Sequence, residues 1–429
     1  MIRRPPRSTQ GVSSAASDVY KRQFFKQIKI CFVFLLINFG QTFADDYYLG
    51  GMFTQHYRDG VYAEWGKYSR LGAKIAIKHI NDEDRLDGDK ILMPDENIID
   101  YHCWNENVEL MTESLIKKNV LAIIGAECSD PAVIMANTSS KANIPIISYG
   151  ANAAKLSNKK KFPYFLRVIT PSEKYERYLL DLASNYGANK IAFFHTTDSW
   201  GEGAAMVVMD AAKKKNIRIM KTFSFQRDAS QEHIDSLVNE LKETDLKHIF
   251  LTSPTPDTVR FFKAINKYGL NNPEYFIYAS EMILNNTPLD AIEGAIGYFS
   301  PVAGISGSKK LDYYIEAYEE LTGLNADFNS ANFIYSVLSY DQVILVSEAI
   351  KSTKKKNLEV TSENIMSQLR LANFQGASGE ISFENGSNDR LNMPVKIMKF
   401  LGKNDRDQMS FIPIANTDAV TGHLKIITQ

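Results

Sequence analysis

The chain has 429 residues, is 44% hydrophobic and carries 49 basic and 50 acidic residues. Residues 1–44 hold seven of the basic residues and one acidic residue, so the remainder has a net charge of −7, which excludes the basic stripe of a nucleic-acid-binding protein. The composition is globular, without low-complexity tracts or solenoid repeats, and the roughly 385 residues after position 44 favour two domains over a single core.

The first 44 residues predict two segments that do not belong to the fold. Residues 1–23 read as translated cloning-adapter sequence, and residues 24–44 read as a signal peptide with a basic start, an apolar core and cleavage after Ala44. The alternative is a membrane-anchoring helix, but the apolar run at residues 30–39 is shorter than the roughly 20 residues that a spanning helix needs. We therefore expect a soluble protein that is periplasmic or secreted.

The mature sequence opens with a strand and an amphipathic helix. Residues 47–53 predict the strand, Trp65 follows it in a loop, and residues 66–81 predict the helix. Apolar residues recur along that helix at the spacing of a single buried stripe, which Ile75 and Ile80 illustrate. This is the first βα unit of the chain.

Residues 103–154 repeat the pattern as helix, strand, loop, helix, strand and loop. Ser129 and Asp130 are candidate N-caps of the second helix, with Pro131 at its first position. The next predicted strand spans residues 144–148, and the turn SYGAN opens at its carboxyl end. Two strand-end loops therefore stand side by side, at the edge where parallel sheets bind small ligands.

Three segments carry a resemblance to a known family: AEWGKYSRLGAKIAIKHIN, AIIGAECS and PIISYGANA. They are similar to type I periplasmic solute-binding proteins, most of all to the branched-chain amino-acid (Leu/Ile/Val) binding group. More distantly, they resemble the ligand-binding ectodomains of glutamate-type and natriuretic-peptide receptors. The likeness runs from about Leu49 to about Asp389. It implies an α/β fold in which two doubly wound parallel-sheet lobes are joined by a three-crossing hinge.

Helices and strands alternate again after the segment FPYFLRVITPS, which resembles a first crossing between lobes. This alternation predicts a second parallel sheet covered by helices on both faces. A second crossing is predicted near residues 279–282 and a third near residues 374–382, before the strand VKIMKFL. The predicted lobes are residues 45–166 plus 283–375 for lobe 1 and residues 167–282 plus 376–429 for lobe 2.

Two cysteines remain after the predicted cleavage, Cys103 and Cys128. In an exported protein an isolated pair favours a disulfide over two free buried thiols, and both cysteines end strand segments at the same predicted sheet edge. The family resemblance implies a bridge at this place. Its expected role is to hold the Ser129 loop rigid.

Residues in the two neighbouring loops are the first candidates for ligand contact. Ser129 alone reads as a helix N-cap, but helix N-termini also attract carboxylates, and the resemblance implies that this serine contacts the α-carboxylate of a ligand. Gly150 and Asn152 lie in the adjacent turn, where a glycine lets a ligand approach the backbone. The family commonly has threonine or serine where Asn152 stands, which leaves the identity of the ligand open.

The resemblance adds three further contacts. It places aromatic residues at Trp65 and Trp200, one from each lobe, against the bound amino acid, although tryptophan is more often a core residue. It also places an acid at Glu281, where the alternative is a solvated carboxylate, to pair with the α-ammonium of the ligand. Asp130 and Asp198 are additional acids near this cleft and raise the alternative of a cationic ligand.

These features predict a binding protein for a small, amino-acid-like ligand that delivers it to the membrane permease of an ABC transporter. The alternative is a soluble or truncated ligand-binding ectodomain of a receptor, and a second alternative is a binder of an amide or a cationic amine. A secreted hydrolase is disfavoured, because the sequence has no metal-binding histidine pair and no G-x-S-x-G elbow. We expect no enzyme activity, no metal and no cofactor, and a monomer, with a dimer as the alternative.

Overall fold

The computed structural model describes residues 44–56, 60, 62–104, 106–280, 288–383, 385, 387–391, 393–404, 409–417 and 423–427. The predicted adapter and nearly all of the predicted signal peptide lie outside these residues, so their assignment stays a prediction. Glu281, predicted to bind the ligand ammonium, also lies outside the described residues. Everything from Asp46 onward that is described forms one compact unit.

The first part of the chain builds a parallel sheet, which we call the first sheet. Its strands and helices are β1 (Asp46–Phe53), α1 (Glu64–Asp82), β2 (Lys90–Leu92), β3 (Ile98–Asp100), α2 (Val108–Lys117), β4 (Ala122–Ile124), α3 (Ser129–Lys141), β5 (Ile146–Ser148) and β6 (Phe165–Arg167). β1 pairs with β4 along one edge and with β2 and then β3 along the other, and β5 and β6 follow β4 outward. All of these pairings are parallel, as the βα pattern predicts.

The second sheet has eight strands among the described residues. Its elements are α4 (Ser172–Asn185), β7 (Lys190–Thr196), α5 (Ser199–Lys214), β8 (Arg218–Phe225), α6 (Gln231–Lys242), β9 (His248–Thr252), α7 (Thr255–Lys267), β10 (Phe276–Ala279), α8 (Leu289–Ala295), β11 (Phe299–Ala303), β14 (Val395–Lys403), β15 (Met409–Thr417) and β16 (Leu424–Ile426). The order is β16-β15-β14-β11-β10-β9-β7-β8. The five strands from β8 to β11 are parallel, whereas β14 to β16 add antiparallel strands at one edge.

The remaining elements return to the first sheet. They are α9 (Lys309–Thr322), α10 (Ala331–Lys355), α11 (Ser362–Arg370), β12 (Asn373–Gln375) and β13 (Glu380–Ser382). Each sheet has an apolar core on each of its faces, as expected of a doubly wound fold. We call the first sheet with its helices the first lobe and the second sheet with its helices the second lobe.

The second and third passages between the lobes come later in the chain than the sequence analysis placed them. β11 pairs in parallel with β10, with Tyr278 opposite Phe299, so the chain stays in the second sheet through Ala303 instead of leaving near residue 282. Residues 374–382 fold back as the β12–β13 hairpin, whose Ala377 and Ile381 join the core of the first lobe. The chain enters the second sheet again at β14.

The longest helix, α10, is apolar and long enough to cross a membrane by composition alone. It is a core helix, because 94% of its most apolar window is buried inside the protein. Gly72 of α1 allows the two helices to approach closely, since a Cβ there would meet the Ser336 carbonyl oxygen at 2.0 Å. This helix pair forms the back of the first lobe.

Candidate ligand-binding cleft

A cavity lies between the two lobes, at the carboxyl ends of strands from both sheets. Its volume is about 120 Å³, roughly ten times the ~10–15 Å³ that one water molecule needs. Trp65, Ser129, Gly150, Asn152 and Trp200 all line it. The structure therefore brings together, from both lobes, every predicted contact residue that it describes.

The floor of the cavity is the N-terminus of α3. The helix begins at Ser129, and its N-cap is Cys128, not Ser129 or Asp130, which puts Pro131 at the third helical position. Cys128 makes no side-chain cap hydrogen bond, so the amides of the first turn keep their donors for another partner. The Ser129 hydroxyl instead accepts a hydrogen bond from the Ala153 amide at 3.1 Å, which ties the two strand-end loops together.

The predicted disulfide between Cys103 and Cys128 is confirmed, with 5.5 Å between the two Cα atoms. Both cysteines line the cavity. A second clamp holds the same loop: the Tyr101 hydroxyl accepts hydrogen bonds from the amides of Glu127, at 2.9 Å, and Cys128, at 3.1 Å. The loop that leads into α3 is thus fixed by one covalent bond and by hydrogen bonds to a buried tyrosine.

The neighbouring turn is positioned by a close backbone approach and by a buried arginine. A Cβ on Gly150 would lie 2.9 Å from the Glu127 Cα atom, so the two loops pack at this distance because residue 150 is glycine. Behind the turn, Arg167 donates hydrogen bonds to the carbonyl oxygens of Ala151, at 3.3 Å, and Ala153, at 2.9 Å. Arg167 is fully buried and forms an ion pair with Asp389 at 2.6 Å.

Glu127 is a cavity residue that the sequence analysis missed. Its side chain is 5% exposed. One carboxylate oxygen, Oε2, accepts hydrogen bonds from the Thr54 amide at 3.1 Å and from the Tyr101 hydroxyl at 3.2 Å. The other oxygen, Oε1, has no hydrogen-bond partner among the described residues. Burial raises the pKa of this carboxyl to about 8.

The two acids predicted near the cleft, Asp130 and Asp198, both accept hydrogen bonds from residues of the second lobe. Asp198 caps α5 by accepting a hydrogen bond from the Gly201 amide at 2.8 Å, and it also accepts one from the Thr196 hydroxyl at 3.0 Å. Asp130 reaches from the first lobe to accept a hydrogen bond from the Ser199 amide at 3.2 Å. Its other contact is Lys155, at 3.6 Å.

The second lobe closes the cavity with Trp200, Arg227 and a loop that contains Ser253. The indole Nε1 of Trp200 is buried and has no hydrogen-bond partner within the described part of the chain. Arg227 lies 3.8 Å from Asp198, a long ion pair. The wall from the second lobe therefore offers an aromatic face and two donors. Within the described residues, no group of His, Cys, Asp and Glu side chains has the arrangement of a metal site.

Comparison with known proteins defines the class. Residues 69–402 match the family described as "Receptor family ligand binding region", and this chain belongs to that family. The match covers Ser129, Gly150, Asn152 and Trp200 of the cavity and most of both lobes, and it confirms the predicted fold class of a type I periplasmic-binding-protein fold. The family is that of receptor ligand-binding regions, without a particular link to the Leu/Ile/Val group.

Individual relatives are plant and animal receptors. The chain is 22% identical over 306 residues to glutamate receptor 3.7 of Arabidopsis thaliana, which covers 64% of this chain and 32% of that protein. It is 19% identical over 367 residues to glutamate receptor 3.1 of Oryza sativa, with 76% and 38% covered, and 23% identical over 201 residues to the metabotropic glutamate receptor of Drosophila melanogaster, with 46% and 21% covered. The chain thus spans about a third of the length of the plant relatives that it matches.

Proposed function

We propose that this chain is the extracellular ligand-binding region of a receptor-type protein and that it captures a small α-amino acid between its lobes. The observation that carries the proposal is the cavity itself: five predicted contact residues from both lobes line it, at a helix N-terminus without a side-chain cap. The relatives are receptors named for glutamate, an α-amino acid. They favour the receptor alternative over delivery to an ABC-type permease.

The carboxylate of the ligand binds at α3. The first-turn amides and the helix dipole supply positive potential there. The Ser129 hydroxyl, which accepts from Ala153, keeps its own proton to donate. Asn152 lies at the same wall of the cavity and supplies an amide. The amides of α3, the Ser129 hydroxyl and the Asn152 amide are neutral hydrogen-bond donors, so they bind the carboxylate without a buried cation beside it.

The α-ammonium binds Glu281, which comes two residues after the end of β10 in the sequence. A carboxylate there and neutral donors at α3 are complementary to a zwitterion, because the two ends of the ligand meet different groups. Trp65 and Trp200 enclose the ligand from either lobe. This arrangement binds and holds a ligand, and no reaction is assigned to it.

Amino-acid binding is tested by thermal unfolding and calorimetry of the purified protein against the twenty L-amino acids, amides and polyamines. An amino acid present at 100 times its dissociation constant should stabilise the protein by about 2.7 kcal/mol. Ser129→Ala should weaken that binding at least fivefold. Ser139→Ala is the control, because Ser139 lies in the same helix away from the cavity lining and its buried hydroxyl donates a hydrogen bond to the Ala136 carbonyl oxygen at 3.3 Å. If no amino acid shifts the transition, the proposed function is wrong.

A further inference from the structure

Three carboxylates line the cavity, and they differ in how their oxygens are used. Asp198 is a helix cap, and Asp130 bridges the lobes to the Ser199 amide and Lys155. Only Glu127 has a buried oxygen, Oε1, for which the described residues provide no hydrogen-bond partner. A buried carboxylate oxygen without a donor is costly, so a bound ligand that supplies the donor is favoured.

We propose that Glu127 binds a cationic nitrogen at the end of the ligand side chain, so that the cleft selects a basic amino acid. This inference rests on the proposed function, in which Ser129 and Glu281 hold the two groups of the amino-acid backbone. Glu127 then contacts the cationic end of the ligand side chain. The relatives are named for glutamate, and this assignment therefore sets the chain apart from them.

The surroundings of Glu127 favour its anionic form once a cation is bound. Oε2 already receives two hydrogen bonds, from Thr54 and Tyr101, which fix the carboxylate plane. Both donors lie on Oε2, which leaves Oε1 for the ligand. A ligand nitrogen that donates to Oε1 completes a charge-assisted pair.

The charged groups and aromatic rings that line the cavity also favour a ligand with a cationic side chain. Its charged lining groups are Glu127, Asp130 and Asp198 against Arg227. A ligand with an anionic side chain would add a like charge to this acidic wall, which is unfavourable. The aromatic rings of Trp65 and Tyr335 line the cavity with Glu127, and their faces attract an ammonium or guanidinium group.

The test compares L-lysine with L-norleucine, which has the same carbon chain without the ε-amino group. By calorimetry on the wild-type protein at pH 7.5, we expect L-lysine to bind at least tenfold more tightly than L-norleucine. Because only ionised Glu127 binds the cation, L-lysine binding should also release a proton at this pH, whereas L-norleucine binding should not. Titrations in two buffers of different ionisation enthalpy measure that proton.

Glu127→Gln should abolish the preference and bring the two dissociation constants within about threefold of each other. Glutamine keeps an oxygen for Thr54 and Tyr101, so the loop retains its hydrogen bonds. Glu176→Gln is the control, because Glu176 is a buried carboxyl of the second lobe that does not line the cavity, and it should preserve the ratio of the two affinities. Proton release from the wild-type protein keeps the test decisive if Glu127→Gln does not fold.

Three results would overturn the inference. They are equal affinity of the wild-type protein for the two probes, absence of L-lysine binding, and a lysine preference that survives Glu127→Gln. If a neutral or acidic amino acid binds while L-lysine does not, the inference fails and the proposed function stands. If no amino acid binds at all, both fail.

Discussion

In the first lobe, the cleft loop runs from β4 into α3, whose N-cap, Cys128, makes no side-chain cap hydrogen bond. In the second lobe, the corresponding loop runs from β7 into α5, and that helix is capped by Asp198 from its own loop and contacted by Asp130 from the other lobe. One helix N-terminus is thus open toward the cavity and the other is filled by carboxylates. This difference supports the proposal that the carboxylate of the ligand binds at the first lobe.

The acids of the two loops differ in the same way. Asp198 accepts hydrogen bonds from Gly201 and Thr196 through Oδ1, and its Oδ2 lies 3.8 Å from Arg227, whereas Oε1 of Glu127 is buried without a hydrogen-bond partner among the described residues. We therefore expect the first lobe to bind the carboxylate and the side chain of the ligand, and the second lobe to provide the ammonium contact and to close over the ligand. Hinge closure of two lobes around a small ligand is a recurrent motion of such folds.

Arg167→Met should have the largest effect, because Arg167 supports the first-lobe turn from behind and its removal leaves Asp389 buried without its cation. Breaking a buried ion pair on one side typically lowers the free energy of unfolding by about 3–5 kcal/mol. Chemical denaturation measures this change. Arg177→Met, in a half-exposed pair with Glu173 in the second lobe, is the control and should change stability by less than about 1 kcal/mol. Equal effects of the two variants would contradict the assigned role of Arg167.

Removing the disulfide with Cys103→Ser and Cys128→Ser together should lower stability by about 3.5 kcal/mol, from the entropy of closing a loop of 25 residues. The first-lobe loop should also lose order, so amino-acid affinity should fall with stability. Denaturation and calorimetry measure the two effects. Mass spectrometry checks the premise: alkylation of both thiols in the wild-type protein without prior reduction would contradict the bond.

The sequence predicted the parallel strands and most of the cleft wall, because both depend on local pattern. Short apolar runs followed by polar loops placed Ser129, Gly150 and Asn152 at one sheet edge, and the structure has them lining one cavity. The cysteine pair was predicted from export and from its position. The ammonium site at Glu281 stays a prediction, since that residue lies outside the described ones.

What the sequence did not predict depends on contacts between distant segments. Glu127 stands in the same loop as Ser129, yet its role follows from Thr54 and Tyr101, which pair with only one of its oxygens. β11 contains Pro301 and was not recognised as a strand, although it is fully buried between β10 and β14. An acid next to a predicted disulfide in a strand-end loop was the available signal for Glu127.

The pH dependence of stability should separate the lobes. Burial raises the pKa of Glu127 in the first lobe to about 8, and that of Glu176 and Asp257 in the second lobe to about 7 and about 6. Each carboxyl binds its proton more tightly in the folded state, so its stabilising contribution is complete below its ordinary pKa and is lost as the pH rises through the raised value. Between pH 7 and pH 8, Glu127 therefore contributes most of the pH dependence of these three carboxyls, Glu176 contributes a smaller part, and Asp257 contributes almost none.

Over that interval the free energy of unfolding should fall by up to about 1.4 kcal/mol, and Glu127→Gln should remove most of the fall. Asp257→Asn is the control, because Asp257 has a pKa of about 6 and its replacement should flatten the profile below pH 7 and leave the interval from 7 to 8 nearly unchanged. The titratable groups that act on Glu127 are Tyr101 and Asp100, and Asp130, Asp198 and Arg227 line the same cavity. Denaturation curves at four pH values measure the slope, and an unaltered slope in Glu127→Gln would contradict the raised pKa.

The smallest expected effect concerns the bridge from Asp130 to the amide of Ser199, which joins the lobes at the edge of the cavity together with Lys155. Asp130→Ala should change the free energy of unfolding by less than about 1 kcal/mol, as expected of a partly exposed contact. The substitution removes a contact between the two lobes, so the unliganded variant should shift toward a more open arrangement.

The radius of gyration of the variant in small-angle scattering should then exceed that of the wild type, and saturating L-lysine should restore the smaller value. Asp210→Ala, which breaks an exposed pair with Lys214 far from the cleft loops, should leave the radius unchanged. An identical radius for the wild type and Asp130→Ala, with and without L-lysine, would mean that the second lobe does not move to close the cleft.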